Sequence, residues 1–414
     1  MMKKYILIFV VVLTGISCSV QHSEFPLKIE VIENPSIEGS RYPFIRQDES
    51  LNPAMSWFTP VDDGYKIEFA QYQDGTWSSP EIIVESSSFF VNWADFPSIV
   101  TFEGKPIAAH WLKKIEGGTY AYNVEVAFRN ADGSWNDPIV PHSDGTPTEH
   151  GFVSILALDQ DRVFAVWLDG RNMKGMSHGE MSQKADLVDL STAMTLRSAI
   201  IHRDGSVSDE HEIDSAVCEC CQTSLTKANN RLIVVYRNRT EHEIRDVYYS
   251  VYDLEYGEWN EPQPLANDGW EIGGCPVNGP QIHANGDEVT AVWFTGADDL
   301  SRSFMARSDD GGLTFGDAQQ IDGGSSMGRV GVLSTSDGST WMSWVSTGEN
   351  PAKIYLRKVG VDGLIEDAIQ VAEINASRGS GFPKMAETEN GILMAWTSPN
   401  PTSKINSILI HVDE

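Results

Sequence analysis

The sequence is short of basic side chains: 30 lysines and arginines face 59 aspartates and glutamates, a formal net charge of −29 over 414 residues. A chain this acidic, with no basic cluster to offset it, is repelled by phosphate backbones, which excludes nucleic acid as a partner. Long apolar runs are missing as well. The longest, YILIFVVVLTGI behind Lys3 and Lys4, is too short to cross a bilayer. Beyond it no segment carries a helical apolar period, which leaves an all-β protein. What is present is ample apolar material, 41% with 10% aromatics, and that excludes global disorder.

The amino-terminal run has the parts of a secretory signal: a basic start, a short apolar core, and small residues before a cysteine. It ends GISC, with Ser17 before Cys18, as at a bacterial lipoprotein processing site. The expected organisation is a signal peptide at 1–17, a lipidated Cys18 opening a tether at 18–26, and a single β-propeller domain over 27–414. Processing removes two lysines and no acid, taking the charge from −29 to −31. A multi-chain lipid anchor would hold the protein at a membrane, periplasmic or on the cell surface, with no other membrane contact.

One unit repeats along the chain. A β-rich segment ending in an aromatic recurs at Trp57, Trp111, Trp167, Tyr236, Trp293, Trp344 and Trp396. The interval, roughly 50–70 residues, suits a propeller blade of four strands. The longest interval holds an insertion at 172–191. Alternating segments such as IEFAQYQ, VEVAFRN and VYYSVYD follow each aromatic strand, as half-buried antiparallel strands require. The seventh unit ends one strand short, while LKIEV at 27–31 precedes the first unit without a partner there. The expectation is seven blades, with six as the alternative, and an amino-terminal strand that closes the last one and so removes an open edge.

The fifth unit contains SDDGGLTF, with Ser308, Asp310, Gly312, Thr314 and Phe315 at the positions of Ser-x-Asp-x-Gly-x-Thr-(Trp/Phe). This resembles the Asp-box of the sialidase superfamily, a brace on the turn between third and fourth strands. GTWSSP, GSWNDP and GEWNEP look like degenerate copies. A wider resemblance spans most of the chain: FVNWADFPS, TEHGFVS, WLDGR, CECCQT, EIRD and GCPVNGP are similar to strings of secreted bacterial proteins of the exo-α-sialidase, or BNR-repeat, family.

In a propeller the inter-blade loops and the second-to-third-strand loops meet on one face. The first set brings Asn92, Asp95, Asp144, Glu149, His150, Cys218–Cys221, Cys275, Asn278, Arg329 and Arg378; the second brings Tyr120, Tyr122, Asp169, Arg171, Arg237, Arg239, Glu243, Arg245 and Asp246. The sialidase resemblance implies an arginine cluster for a substrate carboxylate, with Arg171, Arg239 and Arg329 as candidates, since a guanidinium meets a carboxylate with two hydrogen bonds. Arg237, Asp246 and Asn278 join them as substrate-binding candidates. Tyr120 or Tyr122 would be the nucleophile, and Asp95, Glu149 and Asp169 the acid/base carboxylates. The implied activity is glycoside hydrolysis of a carboxylated or sulfated sugar, with no cofactor required.

The cysteines carry a competing reading. Cys218, Cys220, Cys221 and Cys275 fall in two neighbouring inter-blade loops. In an oxidising compartment such a group forms disulfides. Alternatively it is a thiolate site for copper or zinc, joined by His150, His110 or His142, with the insertion's Met173, Met176, His178 and Met181 nearby. A third reading is a non-catalytic face that binds a glycan or a protein.

Overall fold

The computed structural model describes residues 27–48, 50–174, 187–348 and 350–412. Cys18 lies outside them, as do Met176, His178 and Met181 of the insertion. The described chain forms seven blades arranged as a ring, almost entirely of antiparallel strands. The repeating aromatics all fall on second strands: Ala54–Val61, Lys105–Lys114, Arg162–Asp169, Arg231–Arg237, Glu288–Thr295, Thr340–Val345 and Gly391–Ser398. None of the seven is more than 5% exposed. A second strand has a neighbouring blade on each of its faces, so it is written as a continuous apolar run (VFAVWL, LIVVY) and not as an alternation.

The apolar core is correspondingly divided, with clusters shared between neighbouring blades. Trp111 packs with Phe58 and Phe69 between the first two blades, Trp167 with Leu112 and Val124 between the next, and Trp344 with Val292 between the fifth and sixth. Burying one such large side chain contributes about 1.5–3 kcal/mol. The centre of the ring is a channel lined by the inner strands.

The amino-terminal strand closes the ring. Lys28–Val31 pairs with Lys404–His411 on the outer edge of the seventh blade, in the register Lys28↔His411 to Val31↔Ile408. Asn34 extends the seam, its Nδ2 donating to the Ile405 carbonyl at 3.0 Å. Removing residues 1–33 is expected to lower Tm by about 5–10 °C, from four or five lost bonds of roughly 1 kcal/mol each. The bared edge should also drive self-association, visible by size-exclusion chromatography. An unchanged Tm and a monomeric profile would refute this.

The 308–315 turn braces the fifth blade between Arg302–Ser308 and Gln319–Gln320. Asp310 Oδ1 accepts the Leu313 and Thr314 amides at 2.9 and 3.0 Å, and its Oδ2 accepts the Thr314 hydroxyl at 2.6 Å. Phe315 meets Tyr249 of the fourth blade edge-on at 4.9 Å. Gly312 has φ +82°, and a Cβ there would stand 2.6 Å from Ile233. The turn is a mechanical joint, remote from the loop face.

Candidate functional site

Three inter-blade loops are tied together by Gln222, just after the cysteine run. Its Nε2 donates to the Ala94 carbonyl at 2.7 Å, and its Oε1 accepts the Gly279 amide at 3.1 Å. Gly279 approaches so closely that a Cβ would lie 2.1 Å from the Gln222 carbonyl oxygen. The loops carrying Asp95, Cys218–Cys221 and Cys275 are thereby held against one another at the ring's mouth.

The expected disulfides are not formed. Cys218, Cys220, Cys221 and Cys275 are all free thiols. Cys218 Sγ lies 3.7 Å from Cys221 Sγ and 3.9 Å from Cys220 Sγ, far beyond the roughly 2.05 Å of a sulfur–sulfur bond. Three of the sulfurs instead converge on one point, each within 4.8 Å of the others. Cys218 and Cys221 are buried, Cys220 is half-buried, and the exposed Cys275 interacts with Cys220 from the next blade. Burial pushes the Cys221 thiol up, but the Cys218 and Cys220 thiols and the Arg237 guanidinium outweigh it and hold Cys221 well below the usual thiol range. Arg245 also points its NH1 at Cys218 Sγ, 3.3 Å away.

The arginines are committed elsewhere than the sialidase resemblance implies. Arg239 and Arg245 form a buried box with Glu219 and Glu243: Arg245 meets Glu219 at 2.8 Å and Glu243 at 2.9 Å, Arg239 meets Glu243 at 2.6 Å, and Arg239 also bonds Glu219. Arg171 grips Asp169 through Nε and NH2, both at 2.8 Å. Arg329 lies over Trp93, 5.6 Å from the ring centroid, and donates to the Ala376 and Ser377 carbonyls. Arg171 and Arg239 are therefore neutralised by carboxylates where they stand, while Arg329 is held by Trp93 and two carbonyls with its NH1 left without a hydrogen-bond partner among the described residues. Arg237 spends its NH groups on the carbonyls of Arg245, Asn278 and Phe294 while stacked 4.8 Å from Trp270. Asp246 accepts the Gly269 and Trp270 amides, and Asn278 accepts the Arg329 amide. All three fasten loops together.

Asp169 is likewise occupied. Besides Arg171 it accepts the Trp167 indole at 2.9 Å, and these donors hold its carboxyl below the ordinary range despite its burial, which leaves no proton for acid catalysis at neutral pH. His150 Nε2 lies 3.2 Å from Asp144 and 3.7 Å from Asp169, with His142 stacked on it at 3.7 Å. His142, Asp144 and His150 form a second compact group of ligand-type atoms. His110 stands apart, bonded to Ser98 at 2.7 Å.

Asp95, Tyr122 and Glu149 do come together. Tyr122 donates to Glu149 Oε1 at 2.6 Å, and Asp95 Oδ2 accepts the Phe152 amide at 2.7 Å. Gly151 leaves the space they share: a Cβ there would meet Asp95 at 2.3 Å and the Tyr122 hydroxyl at 3.1 Å. Burial raises Asp95 to about 7 and Glu149 to about 8, the latter also repelled by Asp95, Cys275 and Glu219. Tyr122 is enclosed, with Phe90 stacked on its ring at 4.0 Å, whereas Tyr120 is 44% exposed. A carboxyl raised in this way binds more protons folded than unfolded, so stability falls as pH rises from about 4 through about 7. Asp95→Asn keeps the acceptor for Phe152 and removes the titration; it is expected to raise Tm relative to the parent at pH 8 and to leave it near parity at pH 4. Equal pH–Tm curves would contradict this.

Glu219 has no functional signature in sequence, although it sits inside the CECC string. The alternation of Glu243 with Arg245 in EIRD is the signal that its arginines have carboxylate partners.

No protein-family model matches the chain, and no curated protein matches it. Solved structures do resemble it. A protein of unknown function from Dyadobacter fermentans DSM 18053 aligns over 93% of this chain and 98% of its own, at 14% identity and TM-score 0.51. An ulvan lyase of polysaccharide lyase family PL25 aligns over 92% of this chain and 94% of its own, at 10% identity and TM-score 0.55. At these identities the likeness is one of fold.

Proposed function

We propose that the protein is a metal-binding propeller in which Cys218, Cys220, Cys221 and Cys275 hold one thiophilic ion, of the copper(I) or zinc class. The observation that carries this reading is the sulfur spacing. Ligands about 2.3 Å from a tetrahedral centre stand roughly 3.8 Å apart, and Cys218 lies 3.7 and 3.9 Å from two other sulfurs. Soft thiolates select these ions over harder ones. The Arg245 N–H on Cys218 supplies an outer-shell contact of the kind that orients metal ligands, and Arg245 and Arg237 offset thiolate charge. On this reading the chain is exported and tethered through Cys18.

The test is anaerobic titration of reduced protein with copper(I) and with zinc, each against a chromophoric chelator. One ion per chain, with all four thiols shielded from a thiol reagent in the loaded form, is the expected result. Substoichiometric metal with four reactive thiols would sink the proposal, and the tighter of the two titrations assigns the ion.

A second reading rests on a separate observation, the 2.6 Å bond between Tyr122 and Glu149 beside Asp95. This is the nucleophile, its assisting carboxylate and the acid that the sialidase resemblance implies, and a propeller of similar fold is an ulvan lyase. The substrate would be a glycan bearing carboxylate or sulfate. Phe90 covers Tyr122, so turnover would require this corner to open. Assay of sialosides, uronates and sulfated glycans with apo and metal-loaded protein decides: cleavage lost in Tyr122→Phe supports the reading, binding without cleavage indicates a recognition module, and neither removes it.

A further inference from the structure

We propose that the central channel is a binding site for a small ligand carrying an oxyanion, a carboxylate or sulfate on a molecule of monosaccharide size, held by Arg46 and Lys384. The channel is a cavity of about 1000 Å³ lined by the inner strands of all seven blades, at the upper end of the range for small-ligand pockets. None of the four cysteines lines it, although Gln222 and Asp95, from the loops described above, reach its wall.

Charge singles this cavity out. The protein as a whole is strongly acidic, yet Arg46 and Lys384, both cations, line the channel from the inner strands of the neighbouring first and seventh blades, close enough for Arg46 to act electrostatically on Lys384. No carboxylate acts on either of them among the described residues; the charge that Lys384 feels is Arg46. Among the described residues the Arg46 guanidinium makes one hydrogen bond, from NH2 to the Ile155 carbonyl, which leaves the rest of it for a ligand. Lys384 is surrounded by aromatic faces, with Nζ 5.0 Å from the Phe96 centroid, 5.4 Å from Phe44 and 6.0 Å from Phe382. Such a cage steadies an ammonium without neutralising it.

The carboxylates that line the cavity do not serve as counter-ions. Asp48 is spent on the Ser50 and Gly104 amides, Asp95 on the Phe152 amide, and Glu387 on the Ser336 amide and hydroxyl, while Glu103 is exposed. Two like charges enclosed together, each drawn partly out of bulk water, are costly unless an anion joins them. An oxyanion would satisfy both at once, bidentate to the guanidinium and as a point-charge partner to the ammonium. Hydroxyls of Ser154 and Thr223, paired with each other at 2.8 Å on the wall, offer hydrogen bonds to the neutral part of a sugar.

The experiment is calorimetric titration of the full protein with glucuronate, sulfate and glucose. Glucuronate is expected to bind saturably, with glucose silent. Arg46→Gln and Lys384→Met should each weaken glucuronate binding at least tenfold. Glucuronate affinity should be the same in metal-free and metal-loaded protein, which separates this site from the metal site. Circular dichroism monitors folding; should Lys384→Met fail to fold, the Arg46 pair replaces it, with Arg46→Lys retaining the binding that Arg46→Gln loses. Sulfate binding as tightly as glucuronate identifies a simple oxyanion as the ligand, and tighter glucuronate identifies a sugar acid. Absence of saturable binding by either anion, equal binding of glucose, or unchanged affinity in the Arg46→Gln protein overturns the proposal.

Discussion

Replacing Cys221 by serine is expected to weaken metal binding by about a thousandfold or more, near 4 kcal/mol, in the same chelator competition that measures the parent protein. A serine hydroxyl is close in size to the thiol but does not deprotonate at neutral pH, and it is a hard ligand where a soft one is required. Cys221 is buried and is the sulfur on which neighbouring thiols and Arg237 concentrate positive potential, so it should matter most. Cys275, exposed at the edge of the cluster, should cost less when replaced, roughly ten- to a hundredfold. Equal and small losses at the two positions, within about threefold of the parent, would mean that the sulfurs are packed together without a common ion.

The second large effect concerns stability. Glu219→Gln should destabilise the fold by about 3–5 kcal/mol, because it strips one carboxylate from two arginines already withdrawn from water. The side chains of Arg239 and Arg245 are each 4% exposed and Glu219 6%, so bulk solvent cannot take over the lost pairing. The comparison variant is Asp159→Asn, which breaks a 2.7 Å pair in which Arg162 is 47% exposed and Asp159 39%; its expected cost is below about 1 kcal/mol. Chemical denaturation of the two variants measures both. Added salt should erase the small difference and leave the large one, since enclosed charges are screened far less. A Glu219→Gln protein as stable as its parent would show that Glu243 alone satisfies both arginines.

Some of this architecture is legible in the sequence for a physical reason. A second strand enclosed by two blades needs a large apolar residue at one fixed place, so Trp57, Trp111 and their successors mark the blades. LKIEV, stranded before the first blade, fits the last blade's missing edge. The site is less legible because its determining contacts are made between loops of different blades. Arg239 reads as a ligand-binding arginine because its counter-ion Glu219 arrives from the preceding inter-blade loop. The four cysteines are readable as a group, but whether they are bonded or merely convergent depends on distances. Lys384 carries no signal at all: in FPKM it reads as an ordinary surface lysine, and only the ring turns it inward.

The seam between Lys28–Val31 and Lys404–His411 joins the two described strands that lie farthest apart along the propeller's chain. The seventh blade therefore lacks its outer strand until Lys28–Val31 finds Lys404–His411, a contact among the most distant in sequence within the described residues. The other six blades each draw their strands from one continuous stretch of chain and can form without that contact. The ring itself stays open, and a channel with defined walls, together with any ligand that depends on them, comes into being only at that final step.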